Sequence, residues 1–205
     1  MNILKYSTHN DLNDIIEHLN NGKIIVYPTD TIYGIGANIN NQNAIKNVFI
    51  SKNRPFTKAL SVCFHDYNQL KDYVVLDKNR SNIIKKLLPG PYTLLLNKKS
   101  KVDPLITANS NIIGVRIPDN EVCFKLTRDF PITTTSANVT NKSTPDNIEE
   151  IKKQLNNKIH TYIDVGKLEK NKASTIIDLT QNKPKIIREG IYNKNLLDEI
   201  LKINL

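Results

Sequence analysis

The chain has 205 residues, of which 39% are hydrophobic, and its 29 Lys and Arg outnumber 20 Asp and Glu to give a formal net charge of +9. This length suffices for one domain with a proper core, and no apolar run approaches membrane-spanning length. The start turns polar quickly, which predicts neither a signal peptide nor an anchor. Cys63 and Cys123 lie far apart without ligand-spaced histidines, which argues against zinc.

We therefore expect a cytoplasmic protein that forms one domain over residues 1–205. The positive charge attracts polyanions such as ATP or RNA, but lysines spread over solvated faces explain it equally well. Charge by itself does not decide the function.

Helical and strand patterns alternate along the chain and predict an α/β fold with a mostly sequential sheet. Thr8 is expected to cap a first helix that ends near Gly22, and residues 23–28 then form a buried strand. Further helices are predicted around residues 44–49, 83–88, 121–127, 148–155 and 196–201, and further strands around 60–64, 92–96, 112–117, 132–135, 160–164, 174–179 and 185–188.

Polar residues gather where the predicted strands end. The first group lies in YPTDTIYGIG (27–36), where the glycines let the backbone approach a ligand closely. A dinucleotide fingerprint would need a third glycine where Ile39 stands, so a tight strand-to-helix turn is the simpler interpretation. The second group is SKNRP (51–55), in which an extended backbone puts Lys52 and Arg54 on one side, a pair that suits phosphates or forms an exposed basic turn.

The third group, TTTSAN (133–138), continues an apolar strand with polar residues that need partners if they are buried. Either a small ligand or a polar loop would satisfy them. Arg116 interrupts the apolar strand IIGVRIP (112–118), and Arg188 stands similarly in KPKIIREG (183–190). Each alone indicates a structural salt bridge, whereas both together favour an anion site.

Taken in order, these segments resemble the YrdC-like family of threonylcarbamoyl-AMP synthases over roughly residues 11–191, in its compact single-domain form. The matching motifs are YPTDTIYGIG, the Lys-x-Arg-Pro element, PGPYTLLL (89–96), VRIPD (115–119), TTSAN (134–138), ASTIID (173–178) and REG (188–190).

The resemblance implies a YrdC-like fold: a twisted, open, mixed sheet with flanking helices around a basic concave cavity. It further implies synthesis of L-threonylcarbamoyladenylate from ATP, L-threonine and bicarbonate with release of pyrophosphate, for N6-threonylcarbamoyladenosine modification of tRNA next to the anticodon. Mg²⁺ would come with ATP, without a protein metal site. A threonylcarbamoyl-transferase complex is the expected downstream partner, and the basic cavity leaves binding of tRNA or double-stranded RNA open.

By the same resemblance, Lys52 and Arg54 are the expected catalytic residues, because positioning and charge neutralisation dominate such a transfer. The residues expected around L-threonine are Thr31, Cys63, Arg116, Thr134 and Ser174. Those expected around ATP are Lys52, Arg54, Lys58, Ser136, Asn138, Thr144 and Arg188.

The chain departs from the family pattern at several positions. Asp30 stands where the family usually has Glu, and Cys63 where it often has His, with His65 two residues further on as a substitute on the same strand face. Two alternatives compete with the synthase. An RNA-binding module without catalysis would bind RNA with strong salt dependence and no ATP. Carbamoyl transfer occurs in larger proteins with zinc-finger and acylphosphatase-like regions, for which this sequence has no counterpart.

Overall fold

One mixed β-sheet forms the centre of the molecule. The structure is a computed structural model that describes residues 2–9, 11–155, 159–169 and 172–205. Within these ranges ten strands belong to the sheet. They are β1 (Asn2–Lys5), β2 (Ile25–Tyr27), β3 (Gly34–Gly36), β4 (Ser61–Cys63), β5 (Tyr92–Asn97), β6 (Ile112–Arg116), β7 (Ile132–Ser136), β8 (Thr161–Asp164), β9 (Thr175–Asp178) and β10 (Lys185–Arg188).

The strand order is β1-β8-β2-β3-β7-β4-β6-β5-β9-β10, so the prediction of a mostly sequential sheet is wrong. Four neighbouring pairs are parallel (β1 with β8, β8 with β2, β4 with β6, β5 with β9), and the other pairs are antiparallel. β7 inserts between β3 and β4, and β8 between β1 and β2. Periodicity predicts eight of these strands, but neither β1 nor β3, and it carries no information on which strands pair.

Helices flank the sheet close to where the apolar periodicity predicts them, except for a short helix at Tyr67–Leu70 that the periodicity does not predict. No helix in the described ranges is long and apolar enough to cross a bilayer. The helices are α1 (Asn13–Asn20), α2 (Gln42–Ser51), α3 (Tyr67–Leu70), α4 (Lys78–Leu87), α5 (Glu121–Leu126), α6 (Ile148–Leu155) and α7 (Lys194–Ile200).

The start of α1 differs from the prediction. Thr8 does not cap it: the N-cap position is Leu12, which makes no side-chain capping bond. Asp11 instead accepts a hydrogen bond from the backbone N–H of Asn13 at 3.0 Å and so satisfies a donor at the helix start.

Residues 27–36 do not form the strand-to-helix turn that their glycines indicated. Their last three residues are strand β3, which pairs antiparallel with β2 on one side and with β7 on the other. Glycines carry little strand signal because they are depleted in strands. Here the Tyr27 ring needs the space: an added Cβ on Gly36 would lie 2.9 Å from Tyr27 Cε1 and 3.1 Å from Ile132 Cδ1.

The two faces of the sheet are covered unequally. One face packs α2, α4, α6 and α7 into the larger core cluster, through alternate strand residues such as Val62, Leu94 and Val115. The opposite face packs α1 and α5 against Ile25, Cys63 and their neighbours in a smaller cluster.

The smaller cluster ends where the strand side chains on this second face become small or polar. Ser61, Thr93, Gly114 and Thr134 point to the same side as the apolar residues of that cluster, because side chains alternate along a strand. These side chains line an open concavity, which lies beside the part of the face that α1 and α5 cover.

We predict that Gly36→Ala lowers the free energy of unfolding by about 1–3 kcal/mol, because the added methyl group overpacks the Tyr27 ring inside the sheet. Urea unfolding monitored by circular dichroism measures the change. Asn40→Ala, an exposed site four residues on, serves as control and should stay within about 0.5 kcal/mol of wild type. Equal stability of both variants would contradict the close packing of Gly36.

Candidate functional site

A cavity of about 570 Å³ occupies the concave side of the sheet. Its walls come from the ends of β4, β6, β7 and β9 and from the turn between β2 and β3, which places segments distant in sequence around one space. Its lining residues are Thr29, Ile32, Tyr33, Gly34, Arg54, Ala59, Leu60, Ser61, Thr93, Leu95, Ser110, Ile112, Gly114, Arg116, Thr134, Thr135, Ser136, Thr144, Ala173, Ser174, Ile176 and Arg188.

The charged lining residues are all cations. Arg54, Arg116 and Arg188 line the cavity, and no Asp or Glu stands among the described lining residues. Burial lowers the pKa of Arg54. Burial, and then the charge of Arg116, lowers the pKa of Arg188. Besides burial, the Arg188 pKa shift reflects repulsion between two cations of the lining, which an anionic ligand would relieve.

Arg116 is held from behind by a buried ion pair. Its Nη2 donates to Asp30 Oδ1 at 2.7 Å and to Thr31 Oγ1 at 3.2 Å. Asp30 Oδ2 accepts from the backbone N–H of Asp119 at 3.2 Å, so the carboxylate joins the β2–β3 turn to the segment after β6. Burial raises the pKa of Asp30, and the Arg116 charge opposes that rise.

Arg116 Nε has no hydrogen-bond partner although it is buried. A buried donor without a partner is costly, and a ligand oxygen would satisfy it. Thr31 is also buried and contributes to the site by holding Arg116, since its hydroxyl accepts from Arg116 and lies 3.0 Å from the Thr29 hydroxyl.

Ser174 is fixed by its neighbours at the start of β9. Its hydroxyl lies 2.8 Å from the Thr93 hydroxyl, and Arg188 Nη2 donates to the Ser174 carbonyl oxygen at 2.8 Å and to its Oγ at 3.2 Å. Gly190 lets the chain return close to this point: an added Cβ would lie 2.0 Å from the Ala173 carbonyl oxygen. The REG motif therefore brings an arginine against a serine that lines the same cavity.

Lys52 lies behind the cavity wall rather than on it. Its side chain is buried, and its Nζ donates to the carbonyl oxygens of Ser136 and Asn138 (the latter at 2.8 Å) and to Asn138 Oδ1 at 3.2 Å. These three acceptors use all three ammonium protons. The Lys52 carbonyl also accepts from the Thr140 N–H at 2.8 Å, so Lys52 holds the loop after β7 at two points.

The loop after β7 is further ordered by Asn138. Its amide nitrogen donates to the carbonyl oxygens of Val139 at 3.0 Å and Lys142 at 2.6 Å, and Ser136 Oγ lies 2.5 Å from Asn138 Oδ1. Ser136 and Thr144 line the cavity, whereas Asn138 is buried beside it. Asn138 thus shapes the backbone that presents the two hydroxyls.

Arg54 is anchored to the segment that follows it. Its Nε donates to the Lys58 carbonyl oxygen at 3.0 Å and its Nη2 to the Ala59 carbonyl oxygen at 2.6 Å. The Lys58 side chain is exposed and outside the lining set, so Lys58 contributes its backbone in this structure.

Cys63 is fully buried and does not line the cavity. It packs in the smaller core cluster with Tyr27, Cys123 and Ile132, and its register partner on β6 is Arg116. It therefore supports the strand that carries Arg116, and the expected direct contact with threonine has no counterpart in this geometry. His65 does not replace it: its ring stacks on Phe124, with centroids 4.0 Å apart.

The described residues contain no group of three or more His, Cys, Asp or Glu side chains that could hold a metal ion. The cavity offers hydroxyls and arginines. This donor set fits Mg²⁺ only as a partner of nucleotide phosphates and water, because Mg²⁺ keeps several waters and takes few protein ligands.

The structure therefore separates the sequence-predicted residues into two groups. Those on the cavity wall are Arg54, Arg116, Thr134, Ser136, Thr144, Ser174 and Arg188, and those that lie behind or outside it are Thr31, Lys52, Lys58, Cys63 and Asn138. Sequence reasoning missed the wall residues Ser61 and Thr93, and it did not pair Asp30 with Arg116. Strand alternation could have indicated Thr93, because it stands between apolar residues on β5.

Comparison with known proteins identifies relatives of this architecture. The family model Sua5_yciO_yrdC, described as telomere recombination, matches residues 17–190. A putative threonylcarbamoyl-AMP synthase of Methanocaldococcus jannaschii is 41% identical over 171 residues, which cover 83% of this chain and 81% of the relative.

A threonylcarbamoyl-AMP synthase of Pyrococcus abyssi is 34% identical over 172 residues, covering 82% of this chain. This chain spans only about half of that longer relative, since the match covers 51% of it. The crystal structure of P. abyssi Sua5 complexed with L-threonine superposes with a TM-score of 0.93 at 28% identity, covering 98% of this chain and 61% of that one.

We predict that Asp30→Asn destabilises the fold by about 3 kcal/mol, because it leaves the buried Arg116 charge without its counter-ion. Urea unfolding measures this change. Asp129→Asn is the matched control: it breaks the exposed pair with Arg128, which should contribute little. Equal effects of the two substitutions would show that the Asp30 pair is not desolvated.

A second prediction concerns the pH dependence of stability at Lys52. Burial, and then the charge of Arg54, lowers the pKa of Lys52 from 10.5 to about 7 in the folded protein. Between these values the unfolded state binds more protons, so Lys52 contributes more favourably to folding as the pH rises from 7 towards 10. The unfolding free energy of wild type should therefore rise relative to that of Lys52→Met.

Urea unfolding of both proteins at pH 6, 7.5 and 9 tests this difference. Lys86→Met, which removes an exposed lysine paired with Glu199, is the control and should show no such trend. A wild-type advantage over Lys52→Met that stays constant across this range would contradict the shifted pKa.

Proposed function

The chain belongs to the Sua5/YciO/YrdC family, and from this premise we propose that it synthesises L-threonylcarbamoyladenylate from ATP, L-threonine and bicarbonate. The observation that carries the proposal is the cavity of about 570 Å³, whose charged lining residues are three arginines with hydroxyl side chains between them. Such a volume lies within the usual range for small-molecule sites. The reaction belongs to the nucleotidyltransferases, since an adenylyl group is transferred and pyrophosphate leaves.

The chemistry requires no protein nucleophile. The threonine amine combines with bicarbonate or CO₂ to form a carbamate, whose oxygen attacks the α-phosphorus of ATP, and the α–β phosphoanhydride bond breaks. Negative charge shifts onto the departing pyrophosphate in this step. Mg²⁺ bound to the phosphates would neutralise part of that charge.

The protein's own contribution is to position the substrates and to neutralise charge. Arg54 and Arg188, held by carbonyl oxygens, present guanidinium groups to the cavity without a carboxylate competitor on its wall. Arg116 has a buried Nε free for a ligand oxygen. The Ser174 hydroxyl lies 3.2 Å from Arg188 Nη2, and Thr134 adds a second hydroxyl to the cavity lining, a set suited to the carboxylate and hydroxyl of threonine.

The family resemblance predicts that Lys52 is a catalytic residue. In this proposal Lys52 instead has a supporting role. Its three protons are donated to Ser136 at the end of β7 and to Asn138 in the loop that follows, so it holds the backbone of both residues in place. Arg54 keeps its role as a phosphate-binding cation. Within the family's chemistry, the product would pass to a threonylcarbamoyl-transferase that modifies tRNA in the cytoplasm.

The proposal predicts threonine-dependent release of pyrophosphate from ATP in bicarbonate buffer with Mg²⁺. L-serine replaces threonine as the substrate control, and the adenylate product is identified by mass spectrometry. Arg188→Met should lower turnover by about 100-fold, because it removes a cation that Ser174 positions at the cavity. Arg128→Met, which removes an exposed arginine, should leave turnover unchanged.

No pyrophosphate release by the folded wild-type protein would overturn the synthase proposal. In that case, salt-dependent binding of double-stranded RNA without ATP binding would support the alternative of an RNA-binding module.

A further inference from the structure

A second depression, about 470 Å³ in volume, lies beside the arginine-lined cavity and carries the opposite charge. Its charged lining residues are Asp66, Asp119 and Glu121, with no Lys or Arg among the described residues that line it. On a chain with a net charge of +9, such a local excess of carboxylates is unusual. We call this depression the Phe124 groove, lined by His65, Asp66, Tyr67, Leu88, Pro89, Ile117, Pro118, Asp119, Asn120, Glu121 and Phe124.

The floor of the groove is apolar and partly aromatic. Phe124 is 55% exposed, although its helix buries Val122, Cys123 and Leu126 on the other face. Its ring is held in place by His65, whose Nδ1 lies 3.0 Å from the Phe124 carbonyl oxygen and whose ring stacks on it. A fixed, exposed aromatic ring is the type of side chain that dominates protein interfaces.

The carboxylates differ in how far they are already satisfied. Glu121 is paired with Lys125 at 2.9 Å, and Asp66 uses one oxygen to cap α3. Asp119 is exposed, and only its backbone N–H is engaged, with Asp30. Lys85 Nζ lies over the Tyr67 ring, 4.8 Å from its centroid. Asp119 and Asp66 therefore remain available to a cation.

The shape of this surface favours a polypeptide segment over a small cation. Phe124 and His65 also line a third depression, whose apolar lining includes Leu12 and Ile16. The two depressions therefore share one aromatic ridge, and together they extend further than a single small molecule needs. The third depression also carries Lys125 and Arg128, but within the Phe124 groove the phosphates of a nucleic acid would face Asp66 and Asp119, which disfavours nucleic acid there.

We propose that the Phe124 groove is a docking surface for a partner protein, which inserts an apolar or aromatic side chain against Phe124 and places a neighbouring Lys or Arg against Asp119 and Asp66. The groove and the arginine-lined cavity lie on either side of residues 116–119, since Arg116 lines the cavity and Ile117, Pro118 and Asp119 line the groove. A bound partner would contact the segment whose Asp119 N–H holds Asp30. This surface does not depend on the identity of the reaction in the cavity.

The test uses two synthetic peptides of equal length, acetyl-Arg-Trp-Leu-Lys-amide and acetyl-Glu-Trp-Leu-Glu-amide, titrated into ¹⁵N-labelled protein. We expect saturable shifts of the amide signals of residues 117–124 with the cationic peptide, weakened by salt, and at least about tenfold weaker binding of the anionic peptide. Phe124→Ser should lower the affinity for the cationic peptide by about tenfold or more. Asp119→Asn should also lower this affinity and make it less dependent on salt.

Ile187→Ser is the matched control, because Ile187 is 51% exposed on the edge strand β10 and should not affect the peptide. Equal binding of both peptides, shifts confined to the arginine-lined cavity, or no saturable binding would each overturn the proposal. Phe124→Ser should retain the wild-type rate of pyrophosphate release, so loss of peptide binding is distinguishable from failure of the synthase proposal.

Discussion

The site depends on one constraint: part of one face of the central sheet is lined by side chains that no apolar helix could bury. Where Ser61, Thr93 and Thr134 point outwards, a covering apolar helix would bury hydroxyl groups against hydrocarbon, which is costly. Gly114 deepens this region, since even a Cβ there would lie 2.7 Å from Ser61 Oγ. The opposite face carries four helices and most of the apolar core, which stabilises a sheet that is half open.

Side chains of opposite charge lie on the two sides of residues 116–119. Arg116 faces the cavity with two other arginines, and Asp119, three residues on, belongs to a groove lined by carboxylates. The Asp30 carboxylate connects both ends, because it accepts from the Arg116 side chain and from the Asp119 backbone. An anionic ligand and a cationic partner would thus contact neighbouring residues of the same strand end, which gives them a physical route by which to influence each other.

Several polar residues act through others. Lys52 and Asn138 determine the path of the loop that carries Ser136 and Thr144, and Thr31 holds Arg116. A site that works by positioning and electrostatics needs such support, since small displacements of cations weaken the interactions they make with a transferring phosphoryl group. Burial behind the cavity wall lowers the pKa of the Lys52 ammonium group. Its three oxygen acceptors nevertheless hold the loop after β7 in place.

The sequence by itself determined most elements and the family. Apolar periodicity predicted α6 and β10 at their observed bounds and most other elements within a few residues, because each depends on local contacts. It also singled out Arg54, Arg116 and Arg188, because an Arg within or beside a strand pattern needs a carboxylate partner, an anion or solvent. Only the tertiary structure decided the strand order, the strand at Gly34–Gly36, and which polar residues reach the cavity. Those outcomes depend on pairing between distant segments and on which side of the wall a long side chain such as Lys52 turns, and neither is encoded in local spacing.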